Sequence, residues 1–275
     1  MTIKSPVVIP ASYREPYHSK KTFATFDPYN SRRHPVFCDL RKFINMKPTD
    51  HPQVEEVVRI ISRDRDRTNL LRKYEQRAIA FLVRYIPSWM SSDMLTAIGF
   101  LGNILVLASF VLAALVDIRF LLFGVLGFLV SWFGDSLDGR VAYYRRTPRK
   151  WYGFSLDLTI DWLGTLLIGL GFIVYADSYS KILGYIFVVL YGWEIIIALM
   201  RYVITGKYSI DSGLFGPTEV RILISLILVA EVLFTGSLVW FASLSCLALL
   251  VVNLSDTGKL LKLASERDRE ERLGD

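Results

Sequence analysis

The stretch DSLDGRVAYYRRTPRKWYGFSLDLTID, residues 135–161, places four aspartates within two apolar segments that are long enough to cross a bilayer. A carboxylate near the middle of a membrane helix costs roughly 2.5–3.5 kcal/mol, so four together would cost on the order of 10 kcal/mol. Asp135 and Asp138 are three residues apart and Asp157 and Asp161 are four apart, so each pair lies on one face of its helix. The spacing predicts that the two faces meet and share a compensating positive charge.

Six apolar stretches follow a polar N-terminal part of the chain, and most are close to the ~20 residues that a bilayer requires. They cover residues 94–116, 120–143, 154–176, 182–204, 218–234 and 238–255, and the fifth is short for a span. With 52% hydrophobic residues and a mean hydropathy of +0.37, the chain is too apolar for an ordinary soluble domain. The pattern predicts an all-α integral membrane protein with six transmembrane helices, preceded by a juxtamembrane amphipathic helix.

Basic residues are concentrated in the connections after the second and fourth stretches and in the C-terminal tail. The positive-inside rule therefore predicts that both termini and the aspartate end of the bundle face the cytosol. A net charge of +6 distributed in this way fits an anionic lipid leaflet better than nucleic acid. Cys38 and Cys246 are the only cysteines, so neither a disulfide framework nor a cysteine-based metal site is expected, and no secretory signal is evident.

The chain divides into four predicted regions. Residues 1–52 read as a loosely ordered cytosolic extension, and residues 53–87 as an interfacial amphipathic helical region ended by Pro87. An alternative for the second region is a helix packed in a small soluble domain. Residues 88–256 form the six-helix membrane domain, and residues 257–275 a charged cytosolic tail.

The aspartate cluster has the composition of a site for a hard cation. All three histidines, His18, His34 and His51, lie in the N-terminal extension, so carboxylate oxygens are the ligands that the membrane core offers. Such a set suits Mg²⁺ or Mn²⁺, which commonly bridge protein carboxylates to substrate phosphates. Gly139, Ala142 and Gly153 leave a path where a phosphate or nucleotide could approach the backbone, although small residues are equally expected at helix contacts.

The order D-x-x-D-G-x-x-A, a gap, then G-x-x-x-D-x-x-x-D resembles the signature of the CDP-alcohol phosphotransferase family of membrane enzymes. The segment PSWMSSDMLTAIG at the first span is similar to the family's P-N-x-x-T-x-x-G, with Asp93 where Asn is usual. The resemblance implies attack by an alcohol hydroxyl on a CDP-linked alcohol, with release of CMP, and a homodimer formed through the spans. It also implies metal ligands, a general base and nucleotide contacts, which in this chain would be Asp135, Asp138, Asp157 and Asp161 for the metal, Asp161 for the base, and Gly139, Arg140, Ala142 and Gly153 for the nucleotide.

The chain departs from the family pattern at Tyr143, where the family normally has Arg. Arg140, Arg145 or Arg146 would be near enough in sequence to take over that role, and Arg140 lies about one turn from Tyr143. The alternative is a degenerate relative without activity.

For the donor, the short six-span core favours CDP-diacylglycerol, with a small polar acceptor such as inositol, its phosphate, serine or glycerol phosphate. The alternative is a CDP-choline-like or CDP-ethanolamine-like donor with diacylglycerol as acceptor. Polar residues on the cytosolic side are candidates for the acceptor pocket, namely Arg201, Asp211, Glu219 and Arg221. Two alternatives from other classes of protein are a divalent-cation transporter and a membrane anchor for the N-terminal extension.

Overall fold

The computed structural model describes residues 72–206 and 217–274, and within these ranges all regular secondary structure is helical. The predicted extension 1–52 and the first part of the predicted amphipathic region lie outside the described residues. The α-helices are α1 (Arg72–Val83), α2 (Ser92–Leu115), α3 (Leu121–Tyr144), α4 (Lys150–Tyr175), α5 (Lys181–Thr205), α6 (Pro217–Leu233) and α7 (Ser237–Gly274). Short 3₁₀ turns at Ile118–Phe120 and Ser178–Ser180 lead into α3 and α5.

Five of these helices, α2, α3, α4, α5 and α7, are long and apolar enough to cross a membrane. Large apolar side chains cover their outer surfaces, among them Leu101, Leu129 and Trp240, which is the arrangement expected where lipid replaces water. The chain is therefore an integral, multi-pass membrane protein. Helix α6, which corresponds to the short fifth stretch, has 17 residues, so the sixth span stays a prediction.

Helix α2 lies against both α3 and α4, and glycines allow its close approach to α3. A Cβ atom added at Gly134 of α3 would overlap the backbone of Gly99 and the carbonyl of Leu95 on α2. Gly102 and Gly127 make a second such contact one to two turns away, where either Cβ would overlap the facing backbone. The two backbones therefore nearly touch beside Asp135, which places the polar face of α2 next to the aspartates.

The remaining helices surround this pair. Helix α5 packs on α4 and α7, and α6 packs on α3 and α7. Helices α5 and α7 are joined by polar contacts along their length, including Asn253 Nδ2 to the Leu190 carbonyl at 2.8 Å and Arg267 to the Ile204 carbonyl at 2.8 Å. Because α7 is continuous from Ser237 to Gly274, the predicted boundary between residues 256 and 257 falls inside one helix.

A buried carboxylate fixes the turn between α6 and α7. Glu231 accepts hydrogen bonds from Tyr175 Oη at 2.7 Å, from the backbone N–H groups of Gly236 and Leu238 at 2.9 and 2.6 Å, and from Ser237 Oγ at 3.2 Å. Gly236 has φ 94°, a left-handed conformation that favours glycine. The carboxylate thus satisfies N–H groups at the start of α7 and ties that helix to α4.

Helix α1 packs against the membrane domain. Its buried side chains Ile79, Ala80 and Val83 contact Leu95 of α2 and the α3 residues Leu137 and Val141. Tyr74, in the first turn of the same helix, is 57% exposed. The buried face of α1 is the one that contacts α2 and α3. Its position as an amphipathic helix on the membrane surface stays a prediction.

Candidate active site

Three of the four predicted carboxylates come together between α3 and α4. One oxygen each of Asp135, Asp157 and Asp161 lies within 4.8 Å of the others, and all three side chains are partly buried. Asp135 comes from the second half of α3, while Asp157 and Asp161 come from successive turns of α4. The spacing of four residues on α4 therefore presents both carboxylates to the one from α3.

Asp138 lines the same cavity but is oriented by α2. Thr96 Oγ1 donates a hydrogen bond to Asp138 Oδ2 at 2.7 Å, and Ser92 Oγ donates to the Asp138 carbonyl at 2.9 Å. Asp138 is buried, so these bonds to its neighbours on α2 fix the side chain in one direction. Three of the predicted metal ligands thus form one group, and the fourth, Asp138, lines the same cavity and is held by Thr96.

The cavity between these side chains has a volume of about 10 Å³, which is about the space that one water molecule requires. Its walls are Thr96, Gly99, Asn103, Ser131, Asp135, Asp138, Asp157, Ile160, Asp161 and Arg221. The polar side-chain atoms in this lining are oxygens, apart from the amide nitrogen of Asn103 and the guanidinium nitrogens of Arg221. A carboxylate-rich set of this kind fits a hard divalent cation such as Mg²⁺ or Mn²⁺.

Arg221 of α6 supplies positive charge to the cluster. Its Nη1 donates to Asp135 Oδ2 at 2.6 Å, and its Nη2 lies 3.8 Å from Asp161 Oδ1. The side chain is 16% exposed, so this ion pair is screened less than one at the surface. The guanidinium offsets part of the repulsion between carboxylates and connects α6 to both aspartate helices.

Of the other predicted acceptor residues, Arg201 and Glu219 are described by the structure and do not line this cavity. Arg201 pairs with Asp256 of α7 at 3.4 Å, and Glu219 is buried in the first turn of α6. Asp211 lies outside the described residues. Of the four acceptor candidates, the structure brings Arg221 to the aspartates.

The predicted nucleotide contacts have different environments. Arg140 is 6% exposed, and its Nη1 donates to the Ser136 carbonyl at 2.6 Å, one turn back on α3. Gly139 is partly buried, and Ala142 lines a second cavity of about 310 Å³. Gly153 is exposed, and a Cβ added there would meet no atom within 4 Å. Helix packing therefore does not explain Gly153, and the space beside it is open to a ligand.

Thr96 and Gly99 match the T and G of the P-N-x-x-T-x-x-G segment but were given no role from the sequence, and Asn103 and Tyr191 were not singled out. Thr96, Gly99 and Asn103 share one face of α2, and this polar and small face on an otherwise apolar helix was a usable signal. Tyr191 of α5 also lies near Asp161, Arg221 and Asp135. A tyrosine in an apolar helix gives no such signal, because tyrosine is also common at helix contacts and interfaces.

The comparison with known families covers the region that holds these residues. A family model described as CDP-alcohol phosphatidyltransferase matches residues 89–252, which is more than half of the 275-residue chain and includes every aspartate of the cluster. No curated protein and no solved structure matches the chain. The chain therefore belongs to the CDP-alcohol phosphatidyltransferase family, a family of membrane transferases of phospholipid biosynthesis.

Proposed function

We propose that this protein transfers a phosphatidyl group from CDP-diacylglycerol to the hydroxyl of a small polar alcohol and releases CMP. The observation that carries the proposal is the group of three carboxylates within 4.8 Å, filled by residues at the family's motif positions. Asp138, held by Thr96 at 2.7 Å, supplies a fourth carboxylate to the same cavity. Oxygen ligands of this number and type suit a metal ion that also binds substrate phosphates.

In this proposal Asp135, Asp138 and Asp157 hold Mg²⁺ or Mn²⁺. A divalent cation bound there would neutralise the donor's phosphates and the charge that develops on the departing CMP. Asp161 accepts the proton of the acceptor hydroxyl as general base. Its position within the same carboxylate group also allows it to contribute to the metal, as the family resemblance implies.

The bond changes follow from these roles. The acceptor oxygen forms a new bond to the phosphorus that carries the diacylglycerol, and the bond from that phosphorus to the bridging oxygen of the diphosphate breaks. CMP leaves with the bridging oxygen and both electrons of the broken bond, and the acceptor proton moves to Asp161. Gly139, Ala142 and Gly153 leave room for the nucleotide, and the open space at Gly153 supports this assignment.

Arg221 belongs to the acceptor side of the proposed site. It reaches the cluster from α6, whereas the predicted nucleotide residues lie on α3 and α4, and its guanidinium pairs with Asp161 at 3.8 Å. A hydroxyl donor bound beside it would lie within reach of the proposed base. Arg201 and Glu219, which lie on α5 and α6 away from the cavity, and Asp211, are weaker candidates for contacts with the outer part of the acceptor.

The arrangement in the membrane also forms part of the proposal. Helix α6 has 17 residues and would be about 25 Å long, at the lower limit for a span. Counting it as a sixth span puts both termini on the same side of the membrane as the loop between α3 and α4. Charge placement makes that side the cytosol. Assembly as a homodimer is carried over from the family resemblance alone.

The experiment incubates the detergent-purified protein with Mn²⁺ or Mg²⁺ and a donor, then follows CMP and the lipid product. CDP-diacylglycerol is tested with inositol, inositol phosphate, serine and glycerol phosphate, and CDP-choline and CDP-ethanolamine are tested with diacylglycerol. The proposal expects CMP release with CDP-diacylglycerol that requires both metal and an acceptor. Release with the CDP-headgroup donors alone would support the alternative reaction. Metal transport by the protein in sealed vesicles, without CMP release, would indicate a transporter.

A further inference from the structure

We propose that Arg149 is the residue that binds the donor's phosphate groups in this chain, in place of the arginine that the family carries at the position of Tyr143. The inference rests on the proposed function, because it assumes a CDP-linked donor. Two observations support it. One is the second cavity near the aspartate cluster, and the other is the difference between the hydrogen-bond partners of Arg149 and those of the neighbouring arginines.

The second cavity is lined by residues of α2 and α3 that neighbour the aspartate site in sequence, although the two cavities share no lining residue. Its lining includes Trp89, Ser92, Ala142, Thr147 and Arg149, and its volume is about 310 Å³. Ser92 also donates its hydroxyl to the main-chain carbonyl of Asp138 at 2.9 Å, so a residue that lines this cavity contacts a residue that lines the aspartate cavity. A ligand with its phosphates at the cluster would therefore extend into a space of the size that small-molecule sites commonly have.

The loop after α3 turns back toward this cavity. The Arg146 and Thr147 N–H groups donate to the carbonyls of Tyr143 and Ala142 at 3.0 and 2.9 Å, and Arg146 has φ 59°. This turn closes the end of α3 in the manner of a helix C-cap. It brings residues 147–149 to the rim beside Ala142, although Arg149 is six positions beyond Tyr143 in sequence.

Two of the arginines predicted as replacements donate to main-chain carbonyls. Arg145 Nη1 donates to the Met90 carbonyl at 2.5 Å, and its Nη2 donates to the Pro87 and Ile86 carbonyls at 2.7 and 3.3 Å. Arg140 Nη1 donates to the Ser136 carbonyl at 2.6 Å, and the side chain is buried. Arg140 does not line the second cavity, and Arg145 already uses three hydrogen bonds to tie the loop after α3 to the connection between α1 and α2.

Arg149 is held at the cavity rim by its side chain rather than by main-chain carbonyls. Its guanidinium pairs with Asp93 of α2 and lies 4.2 Å from the ring centre of Tyr152. The side chain remains 51% exposed. A guanidinium has five N–H donors, so pairing with one carboxylate leaves others for a phosphate. Stacking on the ring fixes the plane of the fork that would meet phosphate oxygens.

The charges around the cavity favour an anion. Arg145 and Arg149 contribute two positive charges and Asp93 one negative charge, which leaves one positive charge among the lining residues and the partner of Arg149. The two departures from the family pattern also fit each other. Tyr143 leaves α3 without the arginine that the family has there. Asp93, where the family usually has Asn, pairs with Arg149 from the loop after α3.

The test compares Arg149→Ala with Lys150→Ala. Lys150 is the adjacent basic residue, lies over the Trp151 ring at 5.9 Å and does not line the cavity. With CDP-diacylglycerol, Mn²⁺ and the preferred acceptor, Arg149→Ala should raise the donor KM by roughly 10- to 100-fold, the usual effect of losing a charged hydrogen bond, with a smaller change in kcat. Lys150→Ala should leave the donor KM within about twofold.

A double variant tests whether positions 143 and 149 serve the same role. Adding Tyr143→Arg to Arg149→Ala should return the donor KM to within a few-fold of the wild-type value, because the charge is restored at the family position. An unchanged KM for Arg149→Ala overturns the proposal, and failure of Tyr143→Arg to restore binding overturns the claim that the two positions share one role.

A binding measurement separates this inference from the proposed function. CDP in the presence of Mn²⁺ should raise the melting temperature of the wild-type protein and of Lys150→Ala, but not that of Arg149→Ala. The response to Mn²⁺ alone should be the same in all three proteins, which checks that the variants are folded. Absence of CMP release in the wild type would contradict the proposed function, whereas equal CDP stabilisation of all three proteins would contradict the role of Arg149.

Discussion

At the scale of single residues, the four aspartates have different surroundings, and their replacement should have different effects. Asp135 and Asp161 share the guanidinium of Arg221, Asp157 belongs to the same oxygen group, and Asp138 is held by Thr96. A residue that holds a cation and a residue that accepts a proton contribute to different steps. Variants that remove one carboxylate at a time can therefore assign the roles.

Asp161→Asn should reduce turnover by roughly 10²- to 10⁴-fold, the usual contribution of a general base, while donor binding falls much less. Asp135→Asn should weaken Mn²⁺-dependent binding of the CDP-lipid together with turnover. The measurement is equilibrium binding of a CDP-lipid beside CMP release for both variants. Equal loss of donor binding in the two proteins would make Asp161 mainly a metal ligand and would move the base elsewhere, with Glu219 as the next candidate.

Thr96→Val should lower the affinity for Mn²⁺ by roughly 10- to 100-fold, because loss of a hydrogen bond to a metal-binding carboxylate commonly has that effect. Thr96→Ser retains the hydroxyl that donates to Asp138 and should stay near the wild-type value. A titration of melting temperature against Mn²⁺ measures the affinity without an activity assay. Identical curves for Thr96→Val and the wild type would show that Asp138 does not depend on this bond.

At the scale of helices, the site depends on the close approach of α2 and α3. Glycines at the contact allow the backbones to meet beside Asp135, where any Cβ on Gly134 would overlap the facing helix. Small residues at such contacts are a common means of packing membrane helices, since lipid gives helices no hydrophobic reason to associate. The same contact brings Thr96 within hydrogen-bonding distance of Asp138.

Gly134→Ala should reduce the free energy of unfolding by roughly 1–3 kcal/mol, the usual cost of overpacking. Thermal unfolding in detergent is the measurement. Gly258→Ala is the matched control, because a Cβ there meets no atom within 4 Å and alanine favours an exposed helical position. A melting temperature for Gly134→Ala at or above that of the wild type would mean that the helices separate without loss of stability.

Helical spacing made part of the site predictable. Intervals of three and four residues placed the aspartates on facing surfaces, because an α-helix repeats every 3.6 residues. Arg221 was predicted as an acceptor residue, but its contact with Asp135 could not be foreseen, since 86 residues separate the two and the contact depends on how α6 packs against α3. The buried face of α1 could not be predicted either, because it depends on how this helix packs against α2 and α3.

At the scale of the whole molecule, five apolar helices embed the site in a membrane, and the basic loop after α3 marks one side of it. The six-span proposal makes that side cytosolic. A cysteine at Thr147 in a Cys38→Ser background should then react with an impermeant reagent only in inside-out vesicles, since Cys246 is buried. Tyr179→Cys, in the connection between α4 and α5, is the matched control and should react only from the opposite side. Reversed labelling of the two positions would contradict the orientation.

The most direct test of the proposed chemistry is Mn²⁺-dependent release of CMP from CDP-diacylglycerol by the purified protein, compared with Asp157→Asn. The account predicts release by the wild type that requires both Mn²⁺ and an acceptor alcohol, that stops when the metal is chelated, and that is lost in Asp157→Asn. Equal CMP release from both proteins, or release that persists without a divalent cation, would contradict a carboxylate-bound metal as the centre of the reaction.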